Sequence, residues 1–268
     1  MSQHRCAGLA LLVLLSGLLG CSPEPVTMSD ADVAQHNRAV GLMGQYRNED
    51  ARQLLSDLVD RHPTSVVLRT DLAIATLNRQ QDGDEEHALG IAEQALAMDS
   101  GAIRPRYVAG LAELYLGRVE AAAPRLRAVT DADPKDAHAA YFAAQALAQL
   151  GDDESALTLY QRAIDADPYQ RSAYYAAALL LGKLGKAEQS AVLLGEYQRL
   201  QGNPRAHLAE FRYTRMGSKA TVHALHPASR TPDPIPVGSL FGFSASQITS
   251  TENVPFTHVS TADIDGDG

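Results

Sequence analysis

The chain has 268 residues, 45% of them hydrophobic and 21% charged, and its formal net charge is −9. This length allows one or two domains with a sizeable core, and an acidic chain without a run of Lys or Arg is not expected to bind nucleic acid. Tryptophan is absent and aromatic residues make up only 6%, so alanine and leucine must build the core, which favours packed helices over a sheet.

The chain begins with an apolar stretch that ends at a cysteine. Residues 6–20 read CAGLALLVLLSGLLG and follow a single basic side chain, Arg5. The stretch is too short to span a bilayer comfortably and ends on small residues, which is typical of a signal peptide. The sequence LLGC at 18–21 resembles the bacterial lipobox, whose cysteine is lipidated before the chain is cleaved in front of it.

This resemblance implies a signal peptide at 1–20 and an acylated tether at 21–31, attached to the lipid bilayer through Cys21. By the family's sorting rule, Ser22 directs the protein to the outer membrane, where it would face the periplasm or the cell surface. The alternative is an ordinary secretory signal without lipidation.

A period of 34 residues runs through the middle of the chain. Two segments end in the same DADP, so that Pro134 and Pro168 are 34 residues apart. Four glycines keep the same spacing: Gly83, Gly117, Gly151 and Gly185. A 34-residue unit of two helices resembles the tetratricopeptide repeat (TPR).

The best unit is 137–170, where Ala156, Tyr160 and Ala163 stand at the family's small and aromatic positions. Small residues let the two helices approach closely, and the aromatic ring fills the space between units. The resemblance implies an all-α fold, a right-handed superhelical solenoid of about five helix-turn-helix units over 32–217. A capping helix is expected at 203–217, because the last repeat needs a polar outer face.

The first helices of such a solenoid line one groove, and three tyrosines recur there at the 34-residue spacing. The predicted partner-binding residues are Tyr107, Tyr141 and Tyr175, with Arg104 and His138 one turn earlier on the same face. Tyrosine offers a large contact area and a polar tip, so this ladder could bind an extended protein or peptide partner. The alternative is that the tyrosines pack between neighbouring first helices.

No motif for catalysis occurs in the sequence: G-x-S-x-G, G-x-G-x-x-G and H-E-x-x-H are all missing. His223 and His226 lie beside a proline-rich stretch without cysteine or a clear carboxylate partner, and are expected to be exposed loop residues. We therefore expect no enzyme activity.

Residues 218–238 are proline-rich and are predicted to be a linker, and β-branched residues replace alanine and leucine over 239–268. The end, ADIDGDG, places Asp263, Asp265 and Asp267 at the start of a calcium pattern. It resembles the FG-GAP/VCBS β-propeller repeats, including the ASPIC/UnbV group, and implies an incomplete β segment of a truncated propeller. Calcium is expected only in a longer parent protein, because the later loop ligands are missing.

The sequence thus predicts a membrane-anchored TPR scaffold that binds protein partners through its concave face. Two alternatives stay open. One is a TPR lipoprotein of outer-membrane or pilus assembly, and the other is an extracellular adhesion or polysaccharide-binding protein in which the TPR region is a spacer.

Overall fold

The structure is a computed structural model that describes residues 28–226. Ten α-helices of 13 to 15 residues occur in this part of the chain. They are α1 (Asp30–Gly44), α2 (Asn48–Arg61), α3 (Val66–Arg79), α4 (Asp84–Met98), α5 (Ile103–Tyr115), α6 (Val119–Ala132), α7 (Ala137–Leu150), α8 (Asp153–Ala166), α9 (Arg171–Lys183) and α10 (Ala187–Arg199). None of the described helices is both long and apolar enough to cross a membrane.

The helices form five successive pairs. Each helix packs against the next one along the chain, and the first helices of neighbouring pairs, α3 with α5, α5 with α7 and α7 with α9, also touch. Contacts of this kind, each between sequence neighbours, are the mark of a solenoid. The prediction of an all-α solenoid of five helix-turn-helix units is confirmed.

The four periodic glycines lie in the turns between the two helices of a pair. Their φ angles are all positive, between +72° and +84°. Gly151 shows why: it follows α7 in the left-handed conformation, and the next N–H, of Asp152, donates to the carbonyl of Leu147 at 3.0 Å. This closes the helix end with a bond that only a left-handed residue allows, so glycine is favoured at the position.

Small residues sit where the helices cross most closely. Ala156 and Ala163 are fully buried and Tyr160 is 4% exposed. At Gly110, a Cβ atom would lie 2.8 Å from the side chain of Leu126 in the paired helix. The repeated small positions therefore set the distance between the helices of a pair.

The predicted capping helix at 203–217 does not form, and this expectation is corrected. After α10 comes a 3-10 turn, Leu200–Gly202, then irregular backbone, and a second 3-10 turn at Ser218–Ala220. Asn203 is extended before Pro204, a residue that disfavours helix at the preceding position, and Thr214 and Gly217 both have positive φ. A helix cannot continue through such a series.

Residues 205–226 instead return along the solenoid, and we call them the strap. Within it Ala209, Tyr213, Met216 and Val222 are each no more than 4% exposed and belong to the hydrophobic core. Residues 218–226, which the sequence assigned to the linker, thus lie against the helices.

Gly151→Ala should lower the free energy of unfolding by about 1–2 kcal/mol, because an L-residue with a side chain is strained in the left-handed region. A matched control is Gly90→Ala inside α4, where a Cβ would meet no atom within 4 Å. This change should stabilise the chain by about 0.5–1 kcal/mol, the helix preference of Ala over Gly. Urea unfolding measures both, and equal effects at the two glycines would contradict the role given to Gly151.

Candidate functional site

The concave face of the solenoid is lined by the first helices of the pairs, and the strap lies across it. The strap begins at α9, where the N–H of His207 donates to the carbonyl of Tyr169 at 3.0 Å and the N–H of Arg171 donates to the carbonyl of His207 at 2.9 Å. It ends at α1, where the Asn37 side chain and the main chain of Leu225 exchange two hydrogen bonds of 2.8 Å. The strap therefore joins the last helix pair to the first.

An aromatic cluster holds the strap near its start. The ring of Phe211 lies 4.5 Å from that of Tyr115 in α5 and 5.2 Å from that of Phe142 in α7, measured between centroids. The Gln80 side chain donates to the carbonyl of Phe211 at 3.3 Å. Phe211 is thus the aromatic anchor of the strap, because such pairs add to the energy of burial alone.

The centre of the strap is bound through its main chain. Tyr107 is fully buried, and its hydroxyl donates to the carbonyl of Met216 at 2.6 Å. Arg104 donates to the carbonyl of Thr221 at 2.8 Å and to the buried carboxylate of Asp71 at 2.7 Å. Burial raises the pKa of Tyr107, so the phenol remains a neutral donor.

A lysine of the strap binds two carboxylates before α7. The Nζ of Lys219 lies 2.5 Å from Asp133 and 2.6 Å from Asp136. Although partial burial opposes the charge, the hydrogen bonds to both carboxylates raise the pKa of Lys219. The hydrogen bond that Lys219 donates to Asp133 lowers the pKa of this carboxylate. The two carboxylates therefore favour a cationic side chain at position 219.

His138 packs directly under the strap. A Cβ atom at Gly217 would lie 2.7 Å from the Cβ of His138, so only glycine allows the backbone to come this close. The ring of His207 stacks on that of His138 with centroids 5.6 Å apart. Burial lowers the pKa of His138, which favours the neutral ring.

The three tyrosines of the predicted ladder have different surroundings. Tyr107 is covered by the strap, and Tyr141 is partly buried, with its ring 5.2 Å from that of Phe142. Tyr175 is 45% exposed and packs on Tyr197 of α10, with centroids 5.3 Å apart. The structure thus brings Tyr107, Arg104 and His138 together beneath the strap and leaves Tyr175 outside it.

The sequence did not point to the strap residues that make these contacts, Phe211, Met216 and Lys219. Phe211 and Met216 lie in the segment that was predicted to be a capping helix, and Lys219 lies in the predicted linker. Cys21 and the three aspartates Asp263, Asp265 and Asp267 lie outside the described residues. Within residues 28–226 no group of three or more His, Cys, Asp or Glu side chains could hold a metal.

Comparisons with known proteins agree with this fold. Residues 107–171 match the model of a family described as Tetratricopeptide repeat. Among curated proteins, none has a sequence that matches this chain.

Several solved structures share the fold. A MamA protein from Desulfovibrio magneticus RS-1, residues 41 to its end, is 20% identical, with a TM-score of 0.59 over 66% of this chain and 99% of its own. The MamA RS-1 ArsTM double mutant is also 20% identical, with a TM-score of 0.59 over 65% and 97%. MamA MSR-1 is 20% identical, with a TM-score of 0.54 over 64% and 97%. At this identity the likeness shows the fold, a TPR-type solenoid.

Tyr107→Phe should lower the free energy of unfolding by about 1–2 kcal/mol, because it leaves the buried carbonyl of Met216 without a donor. The matched control is Tyr175→Phe, at a half-exposed tyrosine that the strap does not cover. Its effect should stay within about 0.5 kcal/mol. Urea unfolding compares the two. If both variants unfold at the same midpoint, the hydroxyl of Tyr107 does not hold the strap.

Proposed function

We propose that this chain is a protein-interaction module whose concave face binds an extended polypeptide, and that a lipid on Cys21 anchors it to a bacterial membrane. The observation that carries the first part is the strap: the concave face binds residues 205–226 in irregular form, with turns and one 3-10 turn, Ser218–Ala220. The TPR-type fold supports it too, since solenoids of this kind offer long concave binding surfaces.

The contacts of the strap indicate how a partner would be recognised. Arg104 and Tyr107 of α5, and Gln80 directly after α3, donate to its main-chain carbonyls. Main-chain contacts do not depend on the bound sequence, whereas pockets for particular side chains give specificity. Those pockets here accept an aromatic ring, at Phe211, and a cation, at Lys219.

A partner of this kind would have to take the place of the strap. Because the strap is tethered to the solenoid, its effective concentration is on the order of millimolar. A free peptide therefore competes well only where the contacts of the strap are weakened.

A labelled peptide with the sequence of residues 205–226 should bind the Phe211→Ala protein about tenfold more tightly than the unaltered protein. Loss of the Phe211 ring weakens the binding of the strap to the concave face by roughly 1.4 kcal/mol, whereas the added peptide keeps its own phenylalanine. Fluorescence anisotropy measures the binding. A peptide of the same composition in scrambled order is the control, and the proposal fails if it binds as well as the ordered peptide.

The anchoring proposal rests on LLGC at 18–21 and on the apolar stretch before it. The protein would lie at the outer membrane, facing the periplasm or the cell surface, with Ser22 as the residue after the lipidated cysteine. For the end of the chain we keep the proposal of a propeller-type segment in which Asp263, Asp265 and Asp267 contribute to a calcium site. The spacing of these carboxylates is its support, and a calcium ion takes six to eight oxygens, so other ligands would complete the set.

Cys21→Ser should abolish incorporation of labelled palmitate into the protein in a bacterial host, because the lipid attachment site is lost. Cys6→Ser is the matched control: it changes the other cysteine, inside the predicted signal peptide, and should leave the incorporation unchanged. Immunoprecipitation followed by autoradiography compares the two variants. Labelling that survives Cys21→Ser would refute lipid anchoring at this residue.

A further inference from the structure

Two histidine side chains meet where the strap lies on α7. The ring of His207, in the strap, stacks on the ring of His138, in α7, with centroids 5.6 Å apart and an angle of 19° between the planes. The backbone of the strap also packs on His138 at Gly217, where a Cβ atom would lie 2.7 Å from the Cβ of this histidine. The strap therefore shields the ring of His138 from water and brings a second titratable ring against it.

The surroundings of His207 suit a charged ring. Its Nε2 lies 3.2 Å from the carboxylate of Asp167, and its Nδ1 lies 3.5 Å from the main-chain carbonyl of Arg205. Both neighbours are acceptors, and an imidazole can donate from both nitrogens only when it is protonated. The side chain is 39% exposed, so water also solvates the charge. A proton on His207 is thus compatible with the strap in its place.

A second proton, on His138, would have no free counter-charge. Two protonated imidazoles in contact repel each other, so a charged His207 opposes a charge on His138. The other charged groups in and around the cleft beside His138 come from the segment before α7, from α8 and its C-terminal end, and from the strap: Asp133, Lys135, Asp136, Arg162, Asp167 and Lys219. Three of them are negative and three are positive, so a charged His207 already gives the group a positive excess.

We call the strap closed in this arrangement and open when it has left the concave face. In the closed form burial lowers the pKa of His138, and the charge of His207 acts in the same direction, while the carboxylates of Asp136 and Asp167 oppose the shift without reversing it. Opening removes the burial and the second ring, so the pKa returns towards its ordinary value of about 6.5. Below this pH the open form binds more protons than the closed form, and acid therefore favours opening. Above it His138 is neutral in both forms and has no effect.

We propose that the pair of His138 and His207 makes the strap an acid-sensitive cover of the concave face. The strap stays closed in neutral solution and opens more often in mildly acidic solution. As a means of controlling partner binding, this inference rests on the proposed function, because the open form uncovers Tyr107 and Arg104. As a property of the strap, it can be measured without a partner.

Other contacts of the strap keep their charge in this pH range. The pKa of Lys219 is raised and that of Asp133 is lowered, so this ion pair weakens only when the pH falls below the ordinary carboxylate range, at about 4. The pKa of Tyr107 is raised, so its phenol remains a donor to the carbonyl of Met216. These contacts therefore hold the strap equally well in neutral and in mildly acidic solution.

Hydrogen–deuterium exchange of the full chain, at about pH 7.5 and about pH 5.5 and corrected for the intrinsic exchange rate, tests the proposal. The opening constant of the strap should rise about three- to tenfold at the lower pH, as expected when opening takes up one proton. His138→Gln should abolish the rise, because no ring is left to protonate. The matched control is His87→Gln, at an exposed histidine of α4, which should keep the rise.

NMR titration of the His138 ring in the unaltered chain is a second measurement, and it does not depend on a variant that folds. The ring should titrate at a lower pH in the folded chain than in the chain unfolded by urea. An opening constant that is equal at the two pH values overturns the proposal. So does a rise that persists in the His138→Gln protein, or a ring that titrates in the folded chain at the same pH as in the unfolded chain or above it. Neither measurement contains a peptide, so their failure leaves the peptide test of the proposed function as it is.

Discussion

The hydrogen bond from Tyr107 to the carbonyl of Met216 is the contact on which the concave face depends. It lies in the middle of the molecule, and both of its groups are withdrawn from water. A buried carbonyl must be paired, and a buried phenol is stable only with an acceptor, so each fixes the other in place. With this bond made, Phe142 and Tyr107 are covered, and the strap is held between its two ends at α9 and Asn37. The solenoid is thereby tied from its last helix pair to its first, and its curvature cannot change without breaking buried contacts.

The helix pairs could be predicted because their signals are local and repeated. A glycine every 34 residues marks a left-handed turn, and small residues such as Ala156 mark close helix crossings. The strap could not be predicted, although its buried residues are spaced just as regularly. Its buried residues Ala209, Tyr213, Met216 and Ala220 are spaced by four, three and four, which is also the spacing of a helix that buries one face. A helix is prevented by the backbone conformation of a few residues, among them Thr214 with a φ of +69°. The spacing of apolar residues does not specify backbone conformation.

The same reasoning applies to the candidate site. The repeat predicts Tyr107, Arg104 and His138 on one face, because equivalent positions of successive units point the same way, and all three lie against the strap. The repeat could not give their exposure, since this depends on the strap, which has no counterpart in the other units. Tyr107 and Tyr175 are equivalent by sequence, yet one is buried and the other is 45% exposed. The two alternatives for the tyrosines, a groove or packing, therefore do not exclude each other: Tyr107 faces the groove and is packed there by the chain itself.

Within residues 28–226 the strap covers the concave face and meets the last helix pair at Arg171. The main-chain N–H of Arg171 donates to the carbonyl of His207 in the strap, while its guanidinium lies 4.6 Å from the centroid of the Tyr197 ring. Tyr197 in turn packs on Tyr175 of α9. Because one residue makes both contacts, the start of the strap and the packing of α9 on α10 depend on the same backbone position.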